Sequence, residues 1–155
     1  MRCAALALLW FFLASASAAG TELEGAWRPA VAGESADAVR LSDPGLQHFD
    51  PARLHTFAAS VDTRWVLLRP ARDGWPEPPW VLEVIEPGLQ RVALFAGNGM
   101  AGHESWIGGT GRAWPGHGRL SFVIESALPA ATPLRLRLDA TGVIPPALHF
   151  AARSM

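Results

Sequence analysis

"PLRLRLDATG", residues 133–142, decides the fold. Leu134, Leu136 and Leu138 alternate with Arg135, Arg137 and Asp139. A period of two places the leucines on one face and the charges on the other, as in a β-strand with one side buried and one side in water. Working outward, the same kind of run recurs. "RLSFVIES" (119–126) turns Leu120, Phe122 and Ile124 inward, and "PWVLEVIEPG" (79–88) does so with Trp80, Leu82 and Val84, while Glu83 breaks its other face. "TRWVLLRP" (63–70) places Trp65 and Leu67 on one face; "QRVALFAG" (90–97) and "PPALHFAA" (145–152) complete the set. Short runs separated by Gly- and Pro-rich turns, such as "RDGWPEPP" (72–79), predict an all-β domain, an antiparallel sandwich or barrel.

Before residue 60 the pattern is different. "GTELEGAWRPAVAGESA" (20–36) is small, polar and aperiodic, and reads as an N-terminal arm ahead of a domain over 37–150, with 151–155 as a C-terminal tail. "DAVRLSDPG" (37–45) alternates at Val39 and Leu41 and then turns. "FDPARLHTFAA" (49–59) carries the one helix signal: Asp50 can cap, Pro51 suits the first helical position, and Leu54 and Phe57 are three apart. One short helix is expected there.

The first nineteen residues, "MRCAALALLWFFLASASAA", set the compartment. One positive charge, Arg2, precedes an apolar stretch from Ala4 to Ala14 and a small-residue end, the layout of a cleavable secretory signal peptide. The apolar core is shorter than the ~20 residues that a spanning helix needs. Cleavage after Ala18 or Ala19 removes Cys3, the single cysteine, and leaves about 136 residues, enough for one core. Every basic residue is arginine, as GC-rich bacterial coding favours, and a periplasmic location follows. The expected mature chain holds twelve arginines against fourteen acids, a formal charge of −2, which argues against a nucleic-acid partner.

Chemistry-bearing motifs are few. Gly97, Gly99 and Gly102 fit the spacing of a dinucleotide fingerprint, and Glu125 stands about twenty residues on. That fingerprint needs a helix after its glycines, and "HESWIGGTGRAWPGHG" (103–118) is too rich in glycine to form one. His103, Glu104 and His117 share this loop at a spacing unlike common zinc sites. The pairs Asp62/Asp73 and Glu83/Glu86 could act as glycosidase carboxylates, but outward strand charges explain them as well. No catalytic set, metal site or cofactor is expected. Six tryptophans outlast the leader. Trp65 and Trp80 lie inside apolar strands and read as core. Trp75, Trp106 and Trp114 lie in connections, with Arg112 and His117 near the last two as donors. These five residues could stack on and bind a sugar or another flat polar ligand; packing over the sandwich ends is the competing account of the rings.

The stretch from Val39 to Phe150 resembles the type 2 extracellular domain of bacterial seven-transmembrane receptors with diverse intracellular signalling modules. "AVRLSDPG" corresponds to its opening strand and turn, "RWVLLRP" to its aromatic-anchored strand, and "PWVLEVIEPGLQRVALFAG" to its central pair. "TPLRLRLDATGVIPPALHF" corresponds to its closing strands. The resemblance implies an antiparallel jelly-roll-like β-sandwich similar to carbohydrate-binding modules, and a ligand-sensing ectodomain for a carbohydrate or small molecule. It transfers no individual binding residues. Such an ectodomain precedes seven membrane helices and an output module, so the chain is expected either to be a fragment of a receptor or to act with a membrane partner. The alternative is a stand-alone periplasmic carbohydrate- or small-molecule-binding sandwich.

Overall fold

The computed structural model describes residues 20–58, 63–85, 91–96, 104–107, 119–139 and 147–155. Among these residues, ten strands form two antiparallel sheets: β1 Leu23–Pro29, β2 Gln47–Phe49, β3 His55–Thr56, β4 Thr63–Pro70, β5 Trp80–Ile85, β6 Arg91–Ala96, β7 Glu104–Ile107, β8 Arg119–Ile124, β9 Leu134–Asp139 and β10 Ala147–Ser154. The larger sheet runs β2-β1-β4-β9-β6-β7 and the smaller β3-β10-β5-β8. From β3 onward the chain passes from sheet to sheet with each strand, except for the β6–β7 pair. The result is an antiparallel, jelly-roll-like sandwich, one of the two architectures that the alternation leaves open and the one that the resemblance implies. Among the described residues, no helix is long and apolar enough to cross a membrane.

The alternating strands pack as expected. Leu134, Leu136 and Leu138 of β9 are fully buried, as are Trp80, Leu82 and Val84 of β5, and Phe122 and Leu94 join them between the sheets. Arg137 stays exposed and pairs with Asp139 at 3.2 Å, while Asp139 also accepts from the Thr63 hydroxyl at 3.0 Å. Arg135 reaches sideways, and its Nε donates to the Val39 carbonyl at 2.7 Å.

Four expectations need correction. The expected arm contains β1, which lies inside the larger sheet, between β2 and β4. Leu23 and Trp27 face the core there, and small Gly25 between them hides the alternation from hydropathy. The expected tail continues β10: Arg153 and Ser154 pair with Val81 and Trp80. "DAVRLSDPG" forms no strand; a short 3₁₀ turn at Ala36–Ala38 runs into bends, with Val39 buried. The expected helix after Asp50 is a turn leading to β3. The Asp50 side chain does accept a backbone N–H, from Ala52 at 3.0 Å, and the Arg53 N–H bonds the Asp50 carbonyl at 3.2 Å. The capping chemistry thus closes an Asx-type turn, which the same residues favour equally.

Strand β4 is buried on both faces. Val66 and Leu68 enter the main core. Trp65 and Leu67 point the other way, into a second cluster with Ala36 and Val39, flanked by Ala30, Leu46 and Phe95. The covering segment, residues 30–46, is fastened by Arg28. Its guanidinium hydrogen-bonds Glu34 through Nη1 (3.0 Å) and Nη2, and Asp43 through Nη2 (2.9 Å) and Nε (3.1 Å). The Glu34 carboxylate also accepts from the Val31 N–H, and that of Asp43 from the Arg40 N–H. The Arg28 hydrogen bonds hold the Glu34 carboxyl below its usual value. Burial alone would push Asp43 up, but the Arg40 N–H and Arg28 outweigh it and hold that carboxyl low as well.

The two ends of the described sandwich meet. The Thr21 N–H donates to the Ala152 carbonyl at 3.1 Å, and β10 fills the position between β3 and β5.

Candidate functional site

Strand β1 brings its core-facing residues under the crossing segment 47–57. Gly25 lies opposite Phe49 in the β1–β2 register. A Cβ at Gly25 would come within 2.7 Å of the Phe49 ring and 2.8 Å of Pro51 Cγ. The requirement is therefore one of space: only glycine lets the Phe49 ring lie this close to the strand. Beside this contact a groove of about 840 Å³ opens between the start of β1 and the crossing segment. Glu22 and Glu24 lie on one side, His48, Phe49 and Asp50 on the other, and Phe150 of β10 also lines it.

The groove has an aromatic wall and an acidic rim. Glu24 pairs with Arg69 at 2.6 Å, and Arg72 stands 4.0 Å from Glu22. Both pairs are well exposed, and such pairs contribute about 0–1 kcal/mol to stability. A ring beside carboxylate acceptors suits a molecule that offers an apolar face and hydroxyl or amine donors.

Behind the groove an aromatic cluster closes the sandwich edge. The His55 ring stacks on Phe49 at 4.8 Å, meets Phe57 edge-on at 4.7 Å and lies 6.4 Å from Trp27. Phe49 also contacts Phe57 and Phe150. Burial pushes the His55 imidazole below the ordinary histidine value.

Of the five residues expected to bind a ligand, Trp75 and Trp106 fall among the described residues. Trp75 is buried in the main core; its ring stacks on Trp80 at 5.3 Å and its indole N–H donates to the Thr132 carbonyl at 2.8 Å. Its ring face is occupied, and its role here is packing. Trp106 is on β7, opposite Leu94. Arg112, Trp114 and His117 lie outside the described residues, as do His103, Asp62, Glu86 and the glycines of the 97–102 fingerprint. Glu104 begins β7, so a strand stands soon after those glycines where a dinucleotide site requires a helix. Of the paired carboxylates, Glu83 is engaged with Arg153 at 2.9 Å, and Asp73 occupies a turn with positive φ ahead of Gly74.

The groove residues went unread in the sequence because Phe49, Asp50 and Ala52 fall in the stretch read as a helix, and Glu22, Glu24 and Gly25 in the stretch read as an arm; Pro51, His55 and Phe57, which pack behind the groove, share the helix stretch. The clustering of two phenylalanines and a histidine around an Asp-Pro turn was the available signal. Comparison with family models, with curated proteins and with solved structures gives no match.

Proposed function

We propose that this chain is an exported ligand-binding sandwich that works as a sensory ectodomain, of the kind joined to bacterial seven-transmembrane signalling receptors. The groove beside Gly25 is the observation that carries the reading. It combines an aromatic wall with polar acceptors on a rigid two-sheet scaffold, and it fits a carbohydrate or another small polyhydroxylated molecule. The leader-like first nineteen residues support export. Phe150 gives the reading a route for signal output. This residue lines the groove from β10, and two residues on, the Ala152 carbonyl holds the N-terminal end of the sandwich. A ligand against Phe150 would therefore act on the strand through which a sensor of this type would be joined to its membrane partner. The glycine-rich connection, with Trp106, Arg112, Trp114 and His117, is the competing ligand site.

The test is a glycan and small-metabolite panel against the mature chain, residues 20–155, read by thermal shift and titration calorimetry. Saturable binding that is lost in His48→Ala with Asp50→Ala supports the groove. Loss only in Trp106→Ala with Trp114→Ala moves the site to the connection. A leader-fused reporter retained in the cytoplasm, or no binding across the panel, overturns the reading.

A further inference from the structure

Residues 47–57 form a strap across one edge of the sandwich. They start in the larger sheet as β2 and end in the smaller as β3, and each of these strands is the edge of its sheet. The backbone fastening is slight. Three residues of β2 pair with β1, two residues of β3 pair with β10, and the Phe150 N–H reaches the Pro51 carbonyl at 2.7 Å. The rest of the hold is the stack of Phe49, His55 and Phe57 against Trp27. Within it, His55 Nε2 is buried and has no hydrogen-bond partner among the described residues; the same is true of Trp27 Nε1.

This geometry selects one protonation state. A neutral imidazole can keep its proton on Nδ1 and leave Nε2 bare. The imidazolium must carry N–H at both nitrogens, which would place a charged, unpartnered donor among aromatic rings, and burying a charge without a partner is costly. The charged groups around His55 do not offset that cost. From β4, the Arg64 guanidinium lies 5.8 Å from the Phe57 ring and adds a like charge. On the strap, His48, Asp50 and Arg53 are exposed. On β1, Arg28 lies on the opposite face with Glu34 and Asp43. On β10, His149 alternates with the core-facing Leu148 and Phe150.

We propose that the strap is an acid-released clasp: neutral His55 keeps it closed, and protonation of His55 frees residues 47–57 while both sheets stay intact. Opening is local because the strap contributes only edge strands, and units with few backbone bonds open below the global unfolding free energy. The clasp also forms a wall of the groove through Phe49 and Asp50, so release would change the groove's shape. The inference stands whether or not the groove holds a ligand.

Hydrogen exchange of the mature chain at about pH 7.5 and about pH 5.5, either side of the ordinary histidine value, tests it. After correction for intrinsic exchange, amides of residues 47–57 should open severalfold more often at the lower pH, while those of β4, β5 and β9 should not change. His55→Phe should remove the difference, and His48→Gln should keep it. Equal protection at both pH values overturns the clasp, as does a loss spread over the whole domain or one that persists in His55→Phe. An NMR titration of the wild-type His55 ring reads the same device without a variant; a midpoint at or above the ordinary histidine value overturns it.

Discussion

On one side of β4, Val66 and Leu68 meet a second sheet; on the other, Trp65 and Leu67 meet residues 30–46, which hold a single 3₁₀ turn and no strand. Both sides are dry, but by different means. The inner side is closed mainly by leucines, valines and aromatic rings supplied by both sheets, with buried Arg64 and Trp75 each donating to a backbone carbonyl. The outer side is covered by a thin segment whose own apolar residues, Ala36, Val39 and Leu46, are too few to hold it down. There the fastening is ionic, through Arg28, Glu34 and Asp43, and depends on the ionisation of two carboxylates. The same sheet therefore shows how burial can be achieved by complementary apolar area or by a charged clamp over a smaller one.

The largest expected effect is on the inner face. Leu136→Ala should cost about 2–5 kcal/mol in a urea melt, since it empties a fully packed site. Breaking the outer fastening should come next. Arg28→Ala leaves two carboxylates without their shared partner, and the fully buried case costs about 3–5 kcal/mol. Glu34 and Asp43 keep 11% and 18% of their side-chain exposure, so about 1–3 kcal/mol is expected here. The cost should appear as early exchange in residues 30–46; a purely global loss would show that the clamp is part of the main core. Gly25→Ala should cost about 1–3 kcal/mol, as overpacking does, because Phe49 and Pro51 would have to move.

Acid should sharpen the contrast. Glu34 and Asp43 are held below their ordinary values, so their contribution is complete at neutral pH. It should begin to fall as the pH drops below about 4.5 and be lost once the folded-state values are passed. Melts from neutral pH to about pH 3 should show this loss in the wild type and a smaller one in Arg28→Ala. The smallest effect is reserved for the solvated face of β9. Arg137→Ala should stay within about 0.5 kcal/mol, and a cost equal to that of Leu136→Ala would mean that the strand's register is wrong.

The inner face was legible in the sequence and the outer face was not. Strict alternation in β9 reports a strand with one buried side, and the inward sets of β5 and β8 are marked by every second residue; those strands stand where the pattern places them. In β4, "WVLL" is apolar without a break, which marks burial on both sides but does not say what lies on the second. Residues 30–46 lack periodicity because a cover without regular structure has none to display. At β1, glycine takes an inward position where hydropathy expects a large side chain, and the need for it arises from Phe49, twenty-four residues away. At the candidate site, Asp50-Pro51 is an ambiguous signal, since a helix start and an Asx turn use the same donors and acceptors. Long-range packing selected the turn, and the groove residues went unread with it.

The position of β10 has a further consequence for how the chain can assemble. A polypeptide delivered N-terminus first makes β1, β2 and β4 available early, and these can pair while the rest is still to come. The smaller sheet has no such early route. Its interior position between β3 and β5 stays vacant until residues 147–154 arrive, and the bridge from Thr21 to Ala152 joins the most separated parts of the described chain. Contacts of such long sequence separation form slowly, because the loop must be closed before they contribute. Until then β5 offers an unpaired edge of "WVLEVI", apolar but for Glu83 and without proline, which is the kind of template that invites pairing with a neighbouring chain. Thus the strand that completes the domain also ends its period of exposure to aggregation, and the interval before it docks is when a newly made chain of this sequence would most need a holding chaperone.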